Sequence, residues 1–186
     1  MPAPAAGVRD PDEGYLFPAT YKFPYGTTPA QAFTMMWQTF ERRALPVYRA
    51  SHSSLSLTQW VTLASMVQQE DKDPSDARGI AGVFVNRLKV GMPLQSDATV
   101  RYALGHAVKG PLNYTNLTVP SPFNTYQHQG LPPGPIANPG MVAFRAALTP
   151  APEPYLYFLS LPSGKVLYAA TYAQQLANIA YANQHP

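Results

Sequence analysis

Proline does most to limit how this chain can fold: 21 of its 186 residues are proline, concentrated in Met1–Pro24, Pro111–Pro139 and Pro150–Pro162. A proline has no N–H to give to a helix or a sheet ladder and holds φ at about −65°, so none of these stretches can run through as one helix or one central strand. Regular structure is confined largely to the intervals between them, and the Pro-rich stretches read as long, stiff loops on a helical frame. Over Met1–Asp12 proline and alanine dominate and no hydrophobic period appears, which reads as a linker. Residues 13–186 are expected to form one domain, because a chain of this length with 46% hydrophobic residues can bury a single core.

Between the prolines the helix signals are explicit. Thr28-Pro29-Ala30-Gln31 joins a capping residue, a proline at the first helical position and a Gln able to complete a capping box, which predicts a helix to about Arg43, ended by Pro46. Ser56-Leu57-Thr58-Gln59 opens a second, with Leu57, Trp60, Ala64 and Val67 at helical spacing and Glu70 continuing the stripe. Asp73-Pro74-Ser75-Asp76 caps a third, with a buried face of Ala77, Ile80, Ala81, Phe84 and Leu88 and a stop at Gly91. Asn138-Pro139 begins a shorter helix ending near Leu148. Tyr155–Leu159 and Val166–Ala169, either side of Pro162-Ser163-Gly164, form a hairpin pattern, and a last helix covers about Tyr172 to Asn183. Tyr15–Phe23 reads as a further extended segment, confined to an edge or divided by Pro18. The fold class expected is α+β, mostly helical, with a small antiparallel sheet and long Pro/Gly-rich cleft loops.

Composition removes several kinds of chemistry. The net charge of +3 comes from 13 basic and 10 acidic residues without a Lys/Arg block, which argues against nucleic acid and suits an anionic polymer. No apolar run approaches the ~18 residues that cross a bilayer, and no signal-peptide pattern opens the chain. Without cysteine there is no disulfide or thiolate chemistry. The histidines at 52, 106, 128 and 185 lack metal-ligand spacing and read as loop or surface imidazoles, so no metal is expected. There is no Gly-x-Ser-x-Gly elbow, and Gly105–Gly110 leads into Pro111 rather than the Lys-Ser/Thr of a phosphate loop. No cofactor is expected.

What remains is carboxylates, and the glutamates are Glu13, Glu41, Glu70 and Glu153. Glu41 adjoins Arg42 and Arg43 as a solvated charge at a helix end, and Glu153 lies between two prolines. Glu70 stands out because it extends an apolar helix face. Burial of that face, the negative end of the helix dipole, and Asp71 and Asp73 nearby all favour its protonated form, which is what a general acid needs. The competing reading is that Glu70, Asp71, Lys72 and Asp73 make a solvated turn.

Several ordered motifs bear on that choice: Glu13-Gly14-Tyr15-Leu16-Phe17-Pro18-Ala19-Thr20-Tyr21, Leu63-Ala64-Ser65-Met66-Val67-Gln68-Gln69-Glu70, Ile80 to Leu88, Gly91 to Val100, Asn124-Thr125-Tyr126, Gly130 to Gly140, and Tyr155-Leu156-Tyr157-Phe158. In this order the chain resembles the MltG-type (YceG-like) endolytic murein transglycosylases, from about Glu13 to Ala182. The resemblance implies cleavage of the β-1,4 bond between N-acetylmuramic acid and N-acetylglucosamine within glycan strands, leaving a 1,6-anhydromuramic end, with Glu70 as catalytic acid and base. Family members usually carry another Glu where this chain has Gln68, an Asp where it has Ala19 and a Pro where it has Ala98. The family's membrane anchor and LysM-like region have no counterpart in the sequence, which implies a catalytic domain whose parent is tethered to the cytoplasmic membrane and faces the wall. Its partners would be glycan strands and, through the parent, the cell-wall synthesis machinery, with no membrane contact by the domain itself.

The resemblance further implies a substrate-binding set of Glu13, Tyr15, Gln95, Ser96, Asp97, Thr99, Asn124 and Tyr126, whose hydroxyl, amide and carboxylate groups match hydroxyl and acetamido groups on a glycan. Tyr15, Tyr21 and Tyr126 are candidates for stacking on sugar faces, and Asn86 and Arg87 for the cleft or for capping. Two other functions stay open. One is a muramidase-type hydrolase with Asp97 as second carboxylate, and the other is a murein-binding module without catalysis.

Overall fold

The computed structural model describes residues 10–71, 73–105 and 107–185. Most of the expected linker, over 1–9, lies outside these residues, as do Lys72 and His106. The core is built around one helix, α3 (Leu57–Glu70), which Ser56 and Gln59 open with the expected reciprocal capping box. Every residue from Trp60 to Val67 is buried. A helix buried on all sides needs partners all round. α7 (Met141–Leu148) and α4 (Ala77–Lys89) pack against it, and α1 (Pro29–Arg43) delivers Phe40 to the same centre. Rings from Phe40, Tyr48 and Phe144 surround Trp60 at 6.4, 4.9 and 4.7 Å between centroids. The buried indole N–H of Trp60 donates to the Phe144 carbonyl at 2.9 Å, so the ring is buried without an unmet donor.

The fold is α+β as the sequence implies, with a two-stranded sheet of β1 (Tyr157–Ser160) and β2 (Val166–Ala169). The strands are antiparallel, with Tyr157 opposite Ala169 and Ser160 opposite Val166. α8 (Tyr172–Gln184) follows, opened by a Thr171–Gln174 box. α1 also starts at its predicted cap, Thr28, with Gln31 completing the box.

Other expectations are corrected. Pro46 does not merely stop α1: it sits in the first turn of a short helix, α2 (Leu45–Ala50), where the missing N–H costs nothing. Asp76 precedes α4, but its carboxylate makes no capping bond and instead accepts from the Tyr168 hydroxyl at 3.3 Å. Leu88, expected on the buried face of α4, is only half-buried, while Arg87 is buried. α7 starts at Met141, not Asn138, because the Asn138 side chain is engaged across the molecule, accepting from the Gly14 and Leu16 amides at 2.8 and 3.0 Å. Tyr15–Phe23 joins no sheet. α6 (Tyr114–Leu117) occupies a stretch read as loop, and α5 (Asp97–Ala103) one in which no helix was expected.

Side chains of α3 also fasten the Pro/Gly-rich loop that precedes α7. Ser65 Oγ accepts from the Ile136 amide at 3.0 Å, and Gln68 Oε1 accepts from the Gly140 amide at 2.9 Å. Across the molecule, the Ala151 amide donates to the Arg78 carbonyl and Arg78 Nε to the Thr149 carbonyl, strapping the next Pro-rich loop onto α4. Among the described residues no helix is long and apolar enough to cross a membrane.

The α4 strap makes a prediction opposite in sign to helix propensity. Alanine is favoured over glycine by about 1 kcal/mol in a helix interior, yet a Cβ on Gly82 would stand 2.7 Å from the Ala151 carbonyl oxygen. Gly82→Ala is expected to destabilise the fold by ~1–3 kcal/mol, read as a lowered urea midpoint with an unchanged m-value.

Candidate functional site

Glu70 is the last residue of α3, half-buried, at the point where the core helix meets solvent. Its carboxylate oxygen Oε1 accepts from Ser96 Oγ at 2.6 Å. Ser96 is nearly fully buried and immediately precedes α5, yet it makes no side-chain cap there, because its hydroxyl is committed to Glu70. A hydroxyl suits an acid that changes state, since it donates to a carboxylate and accepts from a carboxylic acid.

The loop carrying Ser96 is held by buried polar contacts. Thr125, between Asn124 and Tyr126, is the hub: its Oγ1 accepts from the Ser96 amide at 3.0 Å and lies 2.8 Å from Thr99 Oγ1, and its carbonyl accepts from the Gln95 amide at 3.1 Å. Gln95 takes a left-handed conformation, φ 49°, unusual for a residue with a Cβ and a conformation that needs support from its surroundings. Its side-chain oxygen accepts from Arg87 at 3.4 Å. Arg87, 8% exposed, donates also to the Leu94 and Leu156 carbonyls at 2.8 and 2.6 Å. Its guanidinium lies over the Tyr157 ring, 5.3 Å from the centroid. One arginine thus ties α4, the Ser96 loop and the approach to β1 together.

Beside this pair stands a second one. The Tyr126 hydroxyl donates to Asp97 Oδ1 at 2.6 Å. Burial and the Asp97 carboxylate push the Tyr126 phenol well above its usual range, with Glu70 adding to the effect and Arg87 opposing it. Tyr126 therefore stays a protonated donor at any physiological pH. Asp97 and Glu70 line one cavity of about 130 Å³ with Gln69, Ala98 and Arg101. Larger hollows of about 560 and 550 Å³ lie against α1 and between α2 and α7, but no carboxylate lines either of them. A third hollow, of about 390 Å³, is lined by Asp76 and Glu153, and the smaller cleft is the one that holds Glu70.

Of the residues expected to bind substrate, the structure brings Ser96, Asp97 and Tyr126 to Glu70 and sets Gln95 at the edge of the group. Thr99 and Asn124 are fully buried. Asn124 spends its amide N–H groups on the Leu117 and Val119 carbonyls and its oxygen on the Tyr126 amide, so it shapes the loop and has no face for a ligand. Thr99 likewise serves Ser96 and Thr125. Tyr15 is corrected to a core residue, 3% exposed and packed on Trp37 and Phe40, which leaves no ring face for a sugar. Glu13 is half-buried in the turn where Gly14 closes on Pro135 and Val61. Asn86 donates to the Glu153 and Tyr155 carbonyls, so both it and Arg87 brace backbone. Thr125 and Tyr157 were not foreseen, although both lie within the motifs. Among the described residues no group of three or more His, Cys, Asp or Glu is placed to hold a metal ion.

Two measurements test this arrangement. Thr125→Val leaves the Ser96 amide and the Thr99 hydroxyl short of a buried partner, for an expected loss of ~1–3 kcal/mol in chemical denaturation. Asp71, the residue that follows α3 as its cap, has its carboxyl raised by burial and then by the Asp76 charge, against a backbone hydrogen bond from Asp73 that lowers it, and one of its oxygens is buried without a hydrogen-bond partner among the described residues. An acid raised on folding binds its proton more tightly folded than unfolded, so its ionisation costs stability above the usual aspartate value of about 3.9 and costs nothing well below it. Asp71→Asn is expected to raise the melting temperature at pH 7 and to leave it unchanged near the acid end of the folded range.

The model of the YceG-like family matches residues 3–181 of the chain. An endolytic murein transglycosylase of Bacillus subtilis is 40% identical over 166 residues, 88% of this chain and 46% of that protein. One of Streptococcus pneumoniae serotype 2 is 34% identical over 97% of this chain and 34% of that protein. This chain therefore spans half or less of the length of these relatives. The crystal structure of a YceG-like protein from Listeria monocytogenes superposes with a TM-score of 0.87 at 39% identity, covering 92% of this chain and 57% of that one. With its core helix, its cleft loop and nearly its whole length matched, the chain belongs to the YceG-like family.

Proposed function

We propose that this chain is the catalytic domain of an endolytic lytic transglycosylase that cleaves peptidoglycan glycan strands, with Glu70 as its acid and base. The observation that carries the reading is the Ser96–Glu70 hydrogen bond in a cleft shared with Asp97, in a chain whose relatives are named endolytic murein transglycosylases. Glu70 protonates the oxygen bridging muramic acid and glucosamine, and the bond from C1 of the muramic residue to that oxygen breaks. The C6 hydroxyl of the same residue then attacks C1 and gives its proton to the Glu70 carboxylate. The product is a 1,6-anhydro ring, the enzyme regains its starting proton, and no water is consumed. One glutamate suffices because the nucleophile belongs to the substrate, and its intramolecular attack removes much of the entropic barrier. The Ser96 hydroxyl can follow Glu70 through both states.

Asp97 is the reason for a second reading, that of a muramidase-type hydrolase with two carboxylates in one cleft. The Tyr126 hydrogen bond favours a holding role instead: Asp97 fixes the phenol, and the remaining acceptor capacity of both groups faces hydroxyl and acetamido groups of the glycan. Gln95 joins them at the rim. On this reading the domain acts in the cell envelope, in wall assembly and remodelling. Its parent is anchored in the cytoplasmic membrane with the domain on the wall side, in reach of the wall-synthesis machinery.

Mass analysis of digested sacculi decides between these readings. The wild-type chain is expected to release anhydromuramic ends, one water lighter than hydrolytic ends, and Glu70→Gln to slow their release by at least ~100-fold while folding normally. A folded Glu70→Gln variant with undiminished activity would sink the assignment, and reducing muramic ends as sole product would give the site to the hydrolase.

A further inference from the structure

The N-terminal third of the chain carries a surface that the cleft does not account for. At Pro24–Thr27 the backbone reverses, with the Thr27 amide donating to the Pro24 carbonyl at 3.1 Å and Gly26 at φ 82°, the sign that the third residue of a type II turn requires. The turn pushes Tyr25 into solvent, where its side chain is fully exposed. Phe23, stacked on Tyr21 at 5.9 Å, and Phe33 of α1 are exposed as well. One ring wholly in water and two with nearly half their surface exposed lie close along the chain, and such clusters mark contact surfaces.

Between the Tyr25 turn and the first turns of α1 runs the groove of about 560 Å³, the size of a small-molecule site. Its lining is specific in character. Pro24 and Met35 give apolar surface, Tyr25 a ring, and Thr27, Gln31 and Thr34 hydroxyl and amide groups. No carboxylate, lysine or arginine lines it. A neutral groove with one aromatic wall and scattered hydroxyl and amide groups offers little to a nucleic acid or a charged peptide. It matches a saccharide, whose C–H faces stack on rings and whose hydroxyl and acetamido groups pair with neutral polar side chains.

We infer that the Tyr25 groove is a second saccharide-binding site, separate from the Glu70 cleft, that takes N-acetylated sugar units of a β-1,4-linked glycan. It shares no lining residue with the cleft. The inference rests on the murein reading for its ligand class and adds a place where a long strand is held away from the bond being cut.

The test is an NMR titration of the chain carrying Glu70→Gln with chitohexaose, together with co-sedimentation on purified sacculi. Amide shifts are expected at Gly26, Thr27, Gln31 and Thr34 as well as around Ser96 and Asp97. Tyr25→Ala, which removes a ring that packs against nothing, and Thr34→Trp, which fills the groove, should each abolish the first set and raise the apparent Kd for sacculi about fivefold. Shifts confined to the Ser96–Asp97 loop, unchanged sacculus binding in both variants, or a response of the same amides to phosphatidylglycerol vesicles in place of sugar would each overturn it. The murein reading is judged separately, by release of anhydro ends from sacculi by the wild-type chain.

Discussion

The burial of α3 on every side is the constraint from which the rest follows. Eight consecutive buried residues, Trp60 to Val67, fix the helix in rotation and in height, because any slip would unpack several neighbours at once. Glu70, one turn beyond Val67, is therefore presented to the cleft by the core itself. The polar residues of the helix are used for the same end: Ser65 and Gln68 hold the loop before α7, so that the acid and one wall of its surroundings are mounted on one element. Precision of this kind is what the proposed proton transfer would need, since reacting groups must be placed to within a fraction of an ångström.

Around that fixed point the opposite wall is assembled from irregular backbone, and there the order comes from buried hydrogen bonds rather than from packing. Thr125, Asn124 and Arg87 each satisfy several backbone groups that would otherwise be stranded without water. The left-handed Gln95 shows how firmly this is done: its amide and its side chain are both held, by Thr125 and Arg87, in a conformation that the chain would not choose alone. The murein reading of the cleft rests on this wall as much as on Glu70.

The regular helices were legible because their signals are local. Capping boxes at Thr28 and Ser56 and the apolar stripe of α3 lie within a few residues of what they specify. The short helices α2 and α5 were not legible, since Pro46 is compatible with an end or a beginning and α5 begins inside a motif that reads as cleft loop. Among the candidate site residues, Glu70, Ser96, Asp97 and Tyr126 stand together. The sorting of their neighbours was hidden, because a polar residue in a motif looks the same whether its groups face a ligand or a stranded carbonyl. Asn124 and Thr99 serve backbone and loop contacts, and Tyr15 serves the core. Tyr15 and Thr99 are decided by partners far along the chain and Asn124 by carbonyls of its own loop only 5 and 7 residues away, and in neither case does spacing along the chain encode the contact.

Gln68 draws these threads together. Its side-chain oxygen receives the Gly140 amide, and an amide asks of position 68 only an acceptor, which glutamine and glutamate supply equally well. Geometry and charge are thus separable at this position. A glutamine there keeps the loop in place while leaving the last turn of α3 with one carboxylate instead of two, at the helix end where negative charge is least welcome. The electrostatic setting of the acid is adjustable two residues away from it, at no cost to the scaffold that aims it.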